Sequence, residues 1–276
     1  MEVLIKSQYK LIVADIDGTL VNKDGTISDF DRQALREAAD AGVKVSLCTG
    51  RVSTACVEIL DDLCLDGYHI FFDGALVCNR ELDREVYSQP IAAEIVKRAS
   101  EAALEDGVPL DLFSRTHYFV MKEDWRSTLR RRFFKIGATT IDYNTIWQKE
   151  KIYKGGIVVS SDEDRRKASV YIAKFRDCLN FTWTVTPAFP DYHFINVVNS
   201  RVSKGKALEA LAAYLGLKMD EVLAIGDGSN DISLLSTAGL GIAMQDSPEE
   251  LKSVAKYITV GVDQSGVAQA IRQFIL

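Results

Sequence analysis

Asp15 and Asp17 stand two positions apart in the hexapeptide Asp15-Ile16-Asp17-Gly18-Thr19-Leu20, directly after the apolar run Leu11-Ile12-Val13-Ala14. That run is short, branched and unbroken, the pattern of a strand buried on both faces of a parallel sheet. Residues i and i+2 of a strand project to the same side, so both carboxylates would point one way where the strand ends. Ligands of open α/β sheets bind beyond the carboxyl ends of the strands, which is where these acids would sit. At an effective dielectric near 20, like charges about 4 Å apart repel by roughly 4 kcal/mol. Something must offset that repulsion, and a divalent cation is the simplest candidate.

Three further features fall at expected strand ends or a helix start: Thr49-Gly50, Lys204, and the run Gly226-Asp227-Gly228-Ser229-Asn230-Asp231. Each alone has an ordinary explanation. Thr-Gly-Arg is commonly a turn, a lysine at a helix start is commonly a solvated charge, and an Asp-Gly-Ser-Asn-Asp loop can be cap chemistry. As a set, an acid pair, an acidic cluster, a hydroxyl donor and a lysine are the parts needed to bind one metal and one phosphate. Rival motifs fail on particular residues. An EF-hand loop needs glycine where Leu20 and Ile232 stand, a dinucleotide fingerprint needs a third glycine where Asp231 stands, and no glycine-rich P-loop is present.

The elements that must position these residues alternate strand and helix at both ends of the chain. After the Asp15 strand, Ser28 and Asp31 resemble a capping box opening a helix that runs to Gly42. Val43–Cys48 reads as a second strand and Ile70–Phe72 as a third, ending at Asp73-Gly74. The alternation predicts a doubly wound, mostly parallel Rossmann-like sheet. The middle reads differently: helical patterns near Ile91–Glu105 and Glu163–Cys178 lie among short strand-like runs at Leu110–Phe113, Tyr118–Met121, Gly156–Val159 and Phe181–Val185. This α+β pattern predicts a second, inserted domain over residues 84–190. The core would then combine residues 1–83 and 191–276. In the second part Ser203 caps a helix bearing Leu208, Leu211 and Leu215, followed by strands at Val222–Ile225 and Leu240–Met244. Ser247-Pro248-Glu249-Glu250 reads as one more capping box.

A formal charge of -6 over 276 residues, with pI near 5.3, argues against a nucleic-acid partner, which would meet a basic face. The one basic run, Arg130-Arg131-Arg132, reads as a solvated helix face, with a phosphate- or substrate-facing role as the alternative. Five cysteines (Cys48, Cys56, Cys64, Cys78 and Cys178), without a C-x-x-C pair, fit neither a disulfide framework nor a structural zinc site. Unpaired thiols suit a reducing cytosol. Met1–Lys6 has no signal-peptide core and no apolar stretch reaches membrane-spanning length, so the expectation is a cytoplasmic protein with no membrane partner.

The ordered set DxDGTL, TGR, Lys and GDxxND resembles the haloacid dehalogenase superfamily. The insertion between the Thr and Lys motifs and the tail from Asp246 to Ala268 resemble its Cof-type branch with a class IIB cap. The resemblance implies a Mg²⁺-dependent phosphatase of a small phosphorylated metabolite, with residues 84–190 as the substrate-specificity cap. It implies Asp15 as nucleophile, Asp17 as general acid and base, and Thr49, Gly50, Lys204 and Asn230 as phosphate holders. Mg²⁺ would sit on Asp15, the Asp17 carbonyl and Asp227, with Asp231 in support. Three residues depart from the branch: Asp73 stands where Asn is usual, Asn196 where Glu is common, and Asp246 where Asn is common. Two other activities share this core, a phosphomutase of the phosphomannomutase type and a non-catalytic binder. Retention of both Asp15 and Asp17 argues against the binder.

Overall fold

The strand Leu11–Ala14 is wholly buried, as its unbroken apolar pattern requires. In this computed structural model, which describes residues 7–79, 81, 84–134, 136–186 and 189–276, it is the fourth strand of a five-stranded parallel sheet. The reading of Met1–Lys6 lies outside the described residues. The order across the sheet is Tyr257–Ile258, Leu240–Ala243, Val222–Gly226, Leu11–Ala14 and Lys44–Leu47. Leu11, Val13, Val222 and Ala224 pack on Ala207, Leu208 and Leu211 of the helix Lys204–Leu215 and on Leu234 and Leu235 of the helix Ile232–Thr237. Ile12, Leu223 and Ile225 alternate to the opposite face and are equally buried. The helices Asp29–Asp40 and Gly266–Phe274 pack on each other. Ser28 caps the first of these, accepting from the Asp31 N–H at 3.0 Å. The Asp31 carboxylate accepts from the Ala268 N–H at 2.7 Å and so ties both helices together.

The chain divides into two compact units. The first holds the parallel sheet and comprises residues up to 50, 57–87 and 203–276; the second comprises 51–56 and 88–202. The second unit has a six-stranded sheet in the order Leu179–Thr186, Phe189–Asn199, Lys154–Val159, Leu110–Phe113, Tyr118–Val120 and Ala138–Thr140. All its pairings are antiparallel except the last, which is parallel. Leu110, Leu112, Ile157, Val159, Ile195 and Val197 pack with Val96, Ala99, Ala103, Ala168, Tyr171 and Phe175. The expected strands at 110, 118, 156 and 181 are present. The strand Phe189–Asn199 is not foreseen, and it moves the boundary placed at 190/191 to 202/203. Pro190, Asp191 and His193 interrupt its apolar pattern, so the pairing partners rather than local propensity make it a strand.

Two local expectations also change. The third strand, Tyr68–Phe71, does not extend the parallel sheet but pairs antiparallel with Leu76–Asn79. Its link to the strand Lys44–Leu47 is an isolated bridge, Cys48 to Ile70. The Leu47 N–H donates at 3.1 Å to Nδ1 of buried His69, so a side chain occupies the place of a ladder bond. Ser247 forms no capping box. The helix there, Glu249–Lys252, is a single turn with Pro248 at its N-cap.

His69 creates a pH dependence of stability. Burial lowers its pKa from 6.5 to about 4, so the folded chain holds a neutral ring while the unfolded chain protonates below 6.5. Its contribution is complete above pH 6.5 and is lost as pH falls toward 4. Between pH 7 and pH 5, denaturant unfolding of the wild type should lose about 2 kcal/mol more than that of His69→Gln. Parallel losses for both proteins would contradict a neutral buried imidazole.

Candidate active site

In-register parallel pairing brings the strand ends level: Ala14 lies opposite Ile225 on one side and Leu47 on the other. The residues that follow, Asp15, Thr49 and Asp227, therefore emerge at one edge of the sheet. The Asp15 N–H still donates to Ile225 O at 2.9 Å, and the Thr49 N–H to Ile70 O at 2.9 Å, so strand backbone holds both. Asp15 and Thr49 are buried. Lys204 is the first residue of its helix, whose N-cap Ser203 accepts from the Lys206 N–H.

Lys204 is far from the solvated charge that its position suggests; it is 1% exposed. Its Nζ donates to Asp15 Oδ1 at 2.7 Å and to Asp231 Oδ1 at 2.5 Å. The second oxygen of Asp231 accepts the backbone N–H groups of Asp227 and Gly228, each at 3.0 Å. Asp227 in turn accepts from the Thr19 hydroxyl at 2.8 Å. Gly18 makes that close approach feasible, since its φ is +87° and a Cβ there would collide with the Asp227 carboxylate. Asn230 donates to Asp73 Oδ1 at 3.1 Å.

Burial raises the pKa of Asp15 well above the usual carboxylate range; Lys204 opposes the shift, while Asp231 and Asp227 add to it. Burial and Asp231 likewise push Asp227 up to about 6. Burial disfavours the Lys204 ammonium, but Asp15 and Asp231 outweigh it and hold the lysine charged. Carboxylate oxygens of Asp15, Asp227 and Asp231 lie within 4.8 Å of one another. Three acids against one ammonium leave excess negative charge. An all-oxygen donor set of this kind fits a hard divalent cation. Asp231 already spends both oxygens on Lys204 and the loop backbone, which leaves Asp15 and Asp227 as the carboxylates best able to hold it.

The structure thus gathers Asp15, Lys204, Asp227 and Asp231 around one point. Asp17 differs: its side chain is exposed, and its backbone bridges to Val21. The charges nearest Asp15 come from Lys204, Asp231 and Asp227 rather than from the i+2 neighbour, and Lys204 is the first to offset them. Asn230 meets Asp73, not Lys204. Asp246 is exposed in the first unit, and Asn196 belongs to the strand Phe189–Asn199 in the second. Of the three consecutive arginines, Arg131 and Arg132 are exposed, but Arg130 is buried in an ion pair with Asp111. Sequence reasoning missed Thr19 as the anchor of Asp227, although it stands inside the first motif.

A family model for the haloacid dehalogenase-like hydrolases matches residues 12–271, and the chain belongs to that family. The 5-amino-6-(5-phospho-D-ribitylamino)uracil phosphatase YcsE of Bacillus subtilis (strain 168) is 30% identical over 97% of this chain and 96% of its own length. The chloroplastic endoribonuclease YBEY of Arabidopsis thaliana is 29% identical over 98% of this chain, which spans only 47% of that protein. The crystal structure of a haloacid dehalogenase-like hydrolase from Bacteroides thetaiotaomicron matches with a TM-score of 0.82 at 26% identity, covering 96% of this chain and 99% of that one.

A cation held by Asp15 and Asp227 must compete with protons, because both carboxylates are more basic than usual. With Asp227 near 6 and Asp15 raised as well, the apparent affinity for Mg²⁺ should fall by at least about tenfold per pH unit below 6. Calorimetric titration with Mg²⁺ from pH 5 to 7.5 checks this. An affinity independent of pH would exclude these two acids as ligands.

Proposed function

We propose that this haloacid dehalogenase-like hydrolase is a Mg²⁺-dependent phosphatase that hydrolyses a small phosphorylated metabolite through an aspartyl-phosphate. The observation that carries the proposal is the buried Lys204 ammonium bound both to Asp15, at the end of a parallel strand, and to Asp231, in the turn after another. It fixes one Asp15 oxygen and opposes the protonation that burial favours, as a nucleophile requires. Bound Mg²⁺ would keep Asp15 and Asp227 ionised and supply positive charge to the phosphoryl oxygens.

In the first half-reaction an Asp15 oxygen attacks phosphorus in line, and the bond from phosphorus to the leaving oxygen breaks. Asp17 gives its proton to that oxygen. Its exposed side chain suits a group that serves first a departing alcohol and then water. In the second half-reaction Asp17 takes a proton from water, whose oxygen attacks phosphorus and releases inorganic phosphate and free Asp15. The Thr49 hydroxyl, the Gly50 N–H, Lys204 and Asn230 are proposed to hold the phosphoryl oxygens, where preset donors contribute most. The B. subtilis relative is named for a phosphomonoester of a ribityl compound, which supports a small phosphomonoester substrate here. The five cysteines form no disulfides, which suits a cytoplasmic setting, and no helix among the described residues is long and apolar enough to cross a membrane.

Asp15→Asn should abolish turnover of phosphate esters while circular dichroism stays unchanged, since the amide cannot attack phosphorus. Substantial residual hydrolysis in a clean preparation would rule out the aspartyl-phosphate route. Release of inorganic phosphate, rather than its transfer to a second sugar hydroxyl, separates the phosphatase from a phosphomutase.

Asp17→Asn should cost about 10²–10⁴-fold on an alkyl phosphate. The first step should suffer less for an aryl phosphate, whose leaving phenolate needs little protonation. Without a base for water, the phosphorylated enzyme should accumulate and appear in mass spectra of quenched samples. Equal losses for both esters with no trapped phosphoenzyme would reduce Asp17 to a positioning role.

A further inference from the structure

We infer that the strand Leu179–Thr186 is a dimer edge, along which the second units of two copies of this chain join their sheets antiparallel. It is the outermost strand of the six-stranded sheet and, among the described residues, pairs on one side only, with Phe189–Asn199. Its sequence, Leu-Asn-Phe-Thr-Trp-Thr-Val-Thr, has no charge, no proline and no glycine. Aromatic and β-branched residues of this kind favour extended pairing. Asn180, Thr182, Trp183 and Thr184 are exposed along it. An edge in this state offers a row of main-chain donors and acceptors to any strand that meets it.

Among the described residues, the other sheet edges are guarded. Tyr257–Ile258 has two residues and Ala138–Thr140 three, which is little on which to align a partner strand. Lys44–Leu47 opens on exposed Lys44, and His69 and the Cys48–Ile70 bridge to Tyr68–Phe71 occupy its far side. Glu85–Ser88, an edge of the three-stranded sheet, opens on exposed Glu85. Short strands and edge charges are ordinary protection against pairing. Leu179–Thr186 has neither.

The absence of charge points to a second copy as the occupant. A two-fold axis normal to the sheet sets the strand antiparallel to itself and leaves each face on its own side. Residues near the centre then meet their own kind, so a central charge would oppose its like. The regular register with Phe189–Asn199 runs from Leu179 to Thr184 and shifts before Thr186. Self-pairing centred on Thr182 stays within that stretch. It sets Thr182 against Thr182, Trp183 against Phe181 and Asn180 against Thr184, an aromatic pair among hydroxyl and amide partners. Trp183, 37% exposed, is already held at the rim, 5.9 Å from the His193 ring and with the Arg165 guanidinium over it. Phe181 packs edge-on against buried Tyr171. A single strand edge is a small interface, so the dimer should have a micromolar dissociation constant.

The test is the molar mass of the full chain, read by light scattering and sedimentation across the micromolar range. It should rise with concentration from 30.6 kDa toward twice that value. Thr182→Lys and Thr182→Asp should each weaken the dimer at least about tenfold, because like charges would face each other across the axis. An equimolar mixture of the two variants should restore it, and each should keep the wild-type circular dichroism. Hydrogen exchange of the wild type needs no substitution: protection over residues 179–184 should grow with protein concentration, whereas that of Ala138–Thr140 should not. A wild type that stays monomeric throughout overturns the inference and leaves the edge to a strand of another protein. A dimer that survives in both variants, or that brings no added protection to residues 179–184, forms through another face and overturns it as well.

Discussion

The ammonium of Lys204 between Asp15 and Asp231 is the contact on which the site depends. Lysine at the first position of a helix opposes the helix macrodipole, and burial adds a desolvation penalty. Two carboxylates at 2.7 and 2.5 Å offset both. The dependence is mutual, because Asp15 and Asp231 would otherwise lack the ammonium as counter-ion. Removing one partner from a buried set of this kind typically costs about 3–5 kcal/mol. The arrangement also propagates outward. Asp231 holds the backbone at Asp227 and Gly228, and that loop aims the Asp227 carboxylate at the Thr19 hydroxyl and the edge of Asp15. One ion-pair network thus orients acids from both ends of the chain.

Parallel pairing makes this convergence possible. With Ala14 level with Ile225 and Leu47, the chain leaves three adjacent strands at one edge of the sheet. The hairpin Tyr68–Asn79 breaks the parallel pattern next to that edge, with His69 filling the place of a ladder bond to Leu47. The break leads directly into the left-handed turn at Phe72–Gly74, which carries Asp73 toward Gly50 and Asn230. A third strand that simply extended the sheet would have had no such turn to offer.

The electrostatics set two demands against each other. A phosphate site needs positive potential, yet Asp15, Asp227 and Asp231 cluster beside the Lys204 ammonium. The proposed binding of a hard cation by Asp15 and Asp227 would reconcile the two, because a divalent charge would offset the excess carboxylates and favour their ionised form. The raised pKa of Asp227, near 6, is the cost of the arrangement when only protons are available to neutralise it.

Much of the core was legible from residue order. The unbroken run Leu11–Ala14 implied burial on both faces, and the spacing of Asp15, Thr49, Lys204 and Asp227 implied a shared edge, because hydrophobic period and strand ends are local properties. The inserted α+β segment was legible as a change of period, but its end was not. Pro190, Asp191 and His193 carry weak strand signals, and only pairing with Lys154–Val159 and Leu179–Thr186 makes Phe189–Asn199 one strand. Side-chain partners were less accessible still. From the sequence, Asp17 was the natural neighbour of Asp15, and Lys204 taken alone resembled a surface charge, although the motif set placed it in the site with Asp231 in support. The fold instead gave Asp15 a partner 189 positions away and left the Asp17 side chain exposed. Residue types and strand ends determine which chemistry can gather at the edge of a sheet. Which oxygen meets which proton depends on contacts between segments remote in sequence, and those form only when the chain is packed.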